Sequence, residues 1–172
     1  EVEAGDFDGA ILLRDKLAKE NGWYNTNQFH NPLNIECHYR TTGNEIVEAC
    51  ISLQTTPAAF VSGTGTGGTI MGVARKLRES FPDVKIIAVE PAESPVMSGG
   101  EAGLHGIQGI GDGSKFLVDL QQVDEIITVS TDAAKQRTRK LIKENGMLVG
   151  ISSGANVFAA EKWIAENEFD GI

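Results

Sequence analysis

The sequence predicts an α/β fold built on a parallel sheet. From Ala58 onward, short apolar runs alternate with longer segments of helical periodicity, and a glycine-rich turn joins the first run to its helix. Strands that alternate with helices in this way form a parallel sheet covered by helices. The chain has 172 residues, enough for one domain of ordinary size with a true core.

The elements follow in order. Gly9 to Glu20 is expected to be a helix, with Ile11, Leu12 and Leu17 as apolar positions and Asn21-Gly22 as its stop. Trp23 to Tyr39 reads as loop, because Asn25, Asn27, Asn31, Pro32 and Asn34 all favour turns. A second helix is expected from near Thr42 through Ile46, Val47 and Ala49. Ala58 to Val61 is the first strand, and it leads into Ser62-Gly63-Thr64-Gly65-Thr66-Gly67-Gly68-Thr69. A helix follows, with Ile70, Val73, Ala74 and Leu77 on one face, Arg75, Lys76 and Arg78 on the other, and Pro82 as its end. Lys85 to Val89 is a buried strand closing at Glu90-Pro91. Ala92 to Gly113, rich in Gly and Ser, reads as a functional loop. Glu125 to Val129 is the next strand; Ser130 or Thr131 caps a helix from Asp132 to Asn145, and Gly146 stops it. Met147 to Ile151 is expected to be a fourth strand, turning at Ser152-Ser153-Gly154 into a helix that carries Ala155, Phe158, Ala159 and Trp163. At least four strands, mostly parallel, are therefore expected between Ala58 and Ile151.

Composition removes several function classes. The net charge is -9, which disfavours nucleic acid, because phosphate contacts need clustered Lys and Arg. Cys37 and Cys50 form no C-x-x-C pair, and His30, His38 and His105 are scattered, so no metal site is expected. No apolar run reaches the roughly 18 residues that a membrane helix needs, and no secretory signal opens the chain. A soluble cytoplasmic protein is the expectation.

The glycine turn has three readings. A strand, a glycine-rich turn and a helix present unpaired backbone N–H groups and the positive end of the helix dipole to a phosphate. Thr66 and Thr69 could add hydroxyl donors. Gly63, Gly65 and Gly68 also satisfy G-x-G-x-x-G, with Glu90 placed where a ribose-binding acid would lie, so a dinucleotide site fits the spacing too. The third reading is a plain tight turn.

Five segments, in order along the chain, resemble the cysteine synthase and cystathionine β-synthase family, the fold-type II pyridoxal-phosphate (PLP) enzymes. Val61 to Thr69 resembles the family's phosphate loop. Asn27-Gln28-Phe29-His30-Asn31-Pro32 resembles its Q-F-x-N-P segment, and Thr41 to Ile46 its T-T-G-x-E-I helix start. His105 to Gly111 resembles H-K-I-Q-G-I-G, and Gly150 to Gly154 is the turn G-I-S-S-G. A dinucleotide enzyme would not be expected to carry this set.

The resemblance implies a three-layer domain, a parallel sheet with flanking helices, and PLP as cofactor. It assigns Gly65, Thr66, Gly67, Gly68 and Thr69 to the cofactor phosphate and Ser152 to the pyridine nitrogen, with Ser153 capping the next helix. A neutral hydroxyl at that nitrogen makes the ring a weaker electron sink, which suits β-elimination. Gln28 is placed near the substrate carboxylate and Gly109 at the mouth of the site. The implied reaction is β-replacement, giving L-cysteine from O-acetylserine or O-phosphoserine and sulfide. Homocysteine as second substrate, and a non-catalytic anion-binding module, are the alternatives. None of the nine lysines lies in a segment resembling the family's Schiff-base motif, so no catalytic residue is expected here. The chain thus reads as a fragment, inactive by itself, with residues 1–24 the tail of a small domain and 25–172 most of the large PLP-binding domain of a homodimeric parent. Three departures lie near the mouth: His30, Gly106, and Gly111 to Phe116, where Asp112 stands in the alanine position of G-A-G-F-I-P.

Overall fold

The computed structural model describes residues 2–3, 6–169 and 171–172. Helices α1 (Phe7–Asn21), α2 (Leu33–Arg40) and α3 (Thr42–Ser52) precede strand β1 (Ala59–Gly63). Then come α4 (Gly68–Ser80), β2 (Lys85–Pro91), a 3-10 turn (Leu120–Gln122), β3 (Glu125–Val129), α5 (Thr131–Asn145) and α6 (Ile151–Glu166). The strands form one parallel sheet in the order β1-β2-β3, with Gly63 opposite Val89 and Val89 opposite Ile127.

The central strand explains the layering. Ile86 and Ala88 face a core shared with Val47, Ile70, Val73 and Leu77 of α3 and α4. Ile87 and Val89 face the opposite core, with Ile127, Ala134, Ala155, Ala159 and Trp163 from β3, α5 and α6. Successive strand side chains point to opposite faces, so a strand covered on both sides must be apolar throughout. This is the expected three-layer α/β/α arrangement. Close backbone approach fixes how the helices sit. A Cβ on Gly154 would lie 2.4 Å from the Ala134 carbonyl, so only glycine lets α6 approach α5 so closely. Gly72 plays the same part for α4 against α2, where a Cβ would lie 2.5 Å from the Ile35 carbonyl.

Three expectations need correction. Met147 to Ile151 is not a strand: residues 146–150 are irregular, α6 begins at Ile151, and Leu148 is 86% exposed. An apolar run becomes a strand only beside a partner, and the three-stranded sheet offers this one none. Trp23 to Tyr39 is not all loop, because Leu33–Arg40 is helical behind Pro32 at the N-cap. Proline at a helix start sacrifices only an N–H that has no partner there anyway. Finally, Ser153 does not cap α6. Gly150 holds that position with no side-chain cap, and Ser152 and Ser153 lie within the first turn. The cap at α5 is Ser130, which accepts from the Ala133 N–H at 3.2 Å, and Gly146 ends that helix in a left-handed conformation.

Candidate active site

The glycine turn leaves β1 at the carboxyl edge of the sheet, where open α/β sheets bind ligands. Thr64 is anchored there, its N–H donating to Val89 O at 3.1 Å while its own carbonyl accepts from Gly111 N at 3.0 Å. Beyond it, the amides of Gly65, Thr66, Gly67, Thr69 and Ile70 have no acceptor among the described residues; the first backbone bond of the helix runs from Met71 N to Gly67 O. Five donors at the positive end of α4 make a cradle of the kind that suits an anion. The glycines are required by crowding. Gly67 sits at φ +86, and a Cβ there would lie 2.8 Å from Val118 N. A Cβ on Gly65 would lie 2.7 Å from the Gly109 carbonyl.

The two threonines differ. Thr66 Oγ1 accepts from Asn34 Nδ2 at 3.0 Å and from Gly68 N at 3.3 Å. Its hydroxyl hydrogen is therefore left to donate outward. The Thr69 hydroxyl instead meets His38 Nε2 at 3.2 Å, and His38 Nδ1 meets Thr42 Oγ1 at 2.9 Å. Thr69 thus offers the cradle its backbone N–H, while its side chain ties α4 to the start of α3.

The backbones of Gln28 and Gly109 lie near this loop, and Ser152 is on the helix beside the end of β1. Gln28 is exposed, and its carbonyl accepts from the same Asn34 Nδ2 at 3.0 Å, so Asn34 holds the 27–32 segment against Thr66. Gly109, at φ +90, rests its carbonyl against Gly65. Ser152 lies one helical turn before Asn156, and residues four apart share a helix face. Asn156 Oδ1 accepts from Gly63 N at 2.8 Å, which places that face, and Ser152 with it, at the carboxyl end of β1. Asn34 and Asn156 are site residues that sequence reasoning misses. Asparagine in a turn or helix carries no signal that its amide will bridge two distant segments.

Beside the cradle lies an open cleft of about 740 Å³, lined by Ser94, Leu104, His105, Gln108, Gly109 and Asp112 among others. Its three neighbouring carboxylates have different surroundings. Glu90 is buried and accepts from Met97 N, Ser98 N and the Ser98 hydroxyl, so it anchors the 92–98 turn and faces no ribose. Glu93 accepts from Thr131 N at 2.8 Å; burial pushes its carboxyl up, but hydrogen bonds from Thr131 and from its own backbone N–H, with His105 nearby, together leave it below the usual value. Asp112 accepts no hydrogen bond among the described residues, and burial raises its carboxyl above the usual value, with His105 only partly opposing. His105 accepts from Ile107 N at Nδ1 and meets Gly111 O at Nε2, which assigns the proton to Nε2. No cluster of metal-binding side chains occurs among the described residues, and no helix there is long and apolar enough to cross a membrane.

Residues 1–171 match the family described as pyridoxal-phosphate dependent enzyme. A cysteine synthase of Staphylococcus aureus (strain Mu50 / ATCC 700699) is 43% identical over 155 residues, which are 88% of this chain and 49% of that protein. Among solved structures, cysteine synthase from Entamoeba histolytica is 42% identical with a TM-score of 0.83, over 91% of this chain and 46% of that one. A hydrogen sulfide-producing enzyme from Fusobacterium nucleatum is 38% identical with a TM-score of 0.91, over 98% of this chain and 51% of that one. The chain thus spans about half the length of the relatives it matches.

Proposed function

We propose that this chain, which belongs to the family of pyridoxal-phosphate dependent enzymes, forms most of the cofactor-binding domain of a cysteine synthase. On this reading residues 25–172 belong to that domain and residues 1–24 to its neighbour. Relatives named cysteine synthase, at 42–43% identity, support the activity. The observation that carries the reading is the row of five partnerless amides from Gly65 to Ile70 with the outward hydroxyl of Thr66. That donor set fits a phosphate ester: it is all N–H and O–H, it sits at a helix start, and Gly65 and Gly67 hold open space that a Cβ would fill.

The roles then follow the geometry. Gly65, Thr66, Gly67, Gly68 and Thr69 hold the cofactor phosphate. Ser152, across the end of β1, offers a neutral hydroxyl to the pyridine nitrogen. Gln28, with its backbone pinned by Asn34, turns its exposed amide toward the substrate carboxylate. Gly109 keeps the mouth low, where a side chain would crowd the entering substrate. When bound, PLP supplies the electron sink that lets a leaving group depart from the β-carbon of an activated serine. The chain's own residues position that substrate, and sulfide entering by the 740 Å³ cleft replaces the leaving group to give L-cysteine. The lysine that holds the cofactor covalently is, on this reading, not among the nine of this chain.

The test has two arms. Amide NMR of the chain titrated with PLP or phosphate should move Gly65, Thr66, Gly67 and Thr69 ahead of other residues. The full-length protein, purified from a host lacking cysteine synthases, should hold a visible-absorbing cofactor and form cysteine from O-acetylserine and sulfide. Unmoved loop amides together with a colourless, inactive full-length protein would overturn the reading.

A further inference from the structure

A second cleft opens at the opposite edge of the sheet from the glycine turn. The strands are parallel, so the residues that lead into β1 and β2 share one edge, and the cradle lies at the other. This cleft has a volume of about 630 Å³ and is bordered by the starts of both strands, the end of α4, and the end of α6 with the tail after it. That size is ordinary for a small-molecule site. Its walls include Phe81, Val84, Trp163 and Phe169. Trp163 and Phe169 pair there, with ring centroids 5.3 Å apart and planes tilted by 34°. The tail that carries Phe169 is held at both ends. Asn167 Nδ2 donates to Trp163 O at 2.9 Å, and Ile172 N donates to Thr56 O at 3.0 Å.

The charge on this lining is one-sided. Asp83, between α4 and β2, and Glu168, after α6, are both exposed, and neither forms an ion pair or side-chain hydrogen bond among the described residues. The one cation of the lining, Lys85, is drawn to Asp124 at 3.8 Å. These three are the titratable groups that line the cleft. Two unpaired carboxylates beside aromatic walls favour a cation twice over, by Coulomb attraction and by the negative faces of the rings. We propose that this cleft binds a linear organic diammonium ion, with one nitrogen at Asp83, the other at Glu168, and its alkyl spacer on the apolar wall. Two nitrogens follow from two carboxylates carried on separate segments, and the spacer follows from the Phe81, Trp163 and Phe169 surface that they share. The formal net charge of -9 raises the local concentration of such cations further. The cleft lies across the sheet from the residues assigned to the cofactor, so it stands whether or not β-replacement is the reaction.

The experiment is isothermal titration calorimetry of the full-length protein, as purified, with putrescine and with its hexamethyl derivative, which cannot condense with an aldehyde such as PLP. Both should bind saturably. Butylamine, with one charge, should bind more weakly, and butanediol, with none, should give no saturable heat. Asp83→Asn and Glu168→Gln should each weaken putrescine binding about two- to fivefold, the reach of one exposed ion pair, and together about tenfold. Phe169→Leu keeps an apolar side chain but removes the ring, and should weaken the hexamethyl derivative about two- to fivefold. All of these substitutions lie across the sheet from the glycine turn, so cysteine formation from O-acetylserine and sulfide should match wild type, which also confirms folding. Binding that survives the double variant, butanediol that matches putrescine, or no saturable heat with either diammonium ion overturns the proposal. A colourless, inactive protein whose putrescine binding is still lost in the double variant overturns β-replacement and leaves this site standing.

Discussion

The contact between Gly68 and Asn34 makes a quantitative prediction. An alanine Cβ at position 68 would fall on the Asn34 side-chain amide, whose Nδ2 bridges Gln28 O and Thr66 Oγ1 at 3.0 Å each. Asn34→Ala alone removes both bonds, at about 1 kcal/mol apiece, so about 2 kcal/mol in all. Gly68→Ala alone should displace the amide and lose the same two bonds. It adds roughly 1–3 kcal/mol of overpacking, partly offset by the ~0.5–1 kcal/mol by which a helix prefers Ala to Gly. In the double variant the bonds are already gone and the Cβ enters the space that Asn34 vacated. Its cost should be about 1–1.5 kcal/mol, below either single change and about 3–5 kcal/mol short of their sum. Urea unfolding of the four cofactor-free full-length proteins measures this directly. A double variant at the sum of the singles would mean that Asn34 does not occupy the Gly68 contact, and the link from Gln28 to Thr66 would be wrong.

Three further outcomes are expected. Asn156→Ala should cost about 1–3 kcal/mol in urea unfolding, because it strands the Gly63 N–H in a half-buried site; Asn156→Asp, which keeps the acceptor, should cost less. Gly65→Ala drives a Cβ to 2.7 Å from the Gly109 carbonyl and should loosen the cofactor at least tenfold, read as PLP absorbance retained after gel filtration; full retention would show that the two loops yield. Asp112, with its carboxyl raised by burial, is protonated in the folded state over a range where the unfolded chain is ionised, so it lowers stability as pH climbs through that range. D112N should therefore gain stability over wild type at neutral pH and lose that gain below the ordinary aspartate value; a gain that persists in acid would point to packing instead.

The parts of this fold that local pattern determines were legible in the sequence. Lys85 to Val89 had to be a strand buried on both faces, because every residue after Lys85 is apolar and Pro82 stops the helix before it. Ser130, Asn145 and Gly146 delimit α5 by cap chemistry alone, and the structure agrees with these limits to within a residue. What failed depends on partners far along the chain. Met147 to Ile151 has the composition of a strand, but composition cannot report whether a neighbouring strand exists. Leu33–Arg40 is helical behind Pro32, and it packs against α4 where Gly72 meets the Ile35 carbonyl and the His38 Cβ, a tertiary contact 37 and 34 residues away. Asn34 and Asn156 were invisible for the same reason, since each acts on a segment 32 or 93 residues distant.

The same logic explains why the G-x-G-x-x-G spacing could not name its ligand. The glycines encode only how closely backbone may approach something, and here much of what approaches is protein: the Gly109 carbonyl at Gly65, Val118 at Gly67, Asn34 at Gly68. The identity of the ligand resides in what those contacts leave unspent. A dinucleotide site would need a free acid at the end of the second strand, and Glu90 is committed to Met97 and Ser98. A phosphate ester needs only N–H and O–H donors, which Thr66 and the start of α4 keep in reserve. Asp112 is the opposite case, an acceptor left over at the edge of a site made of donors.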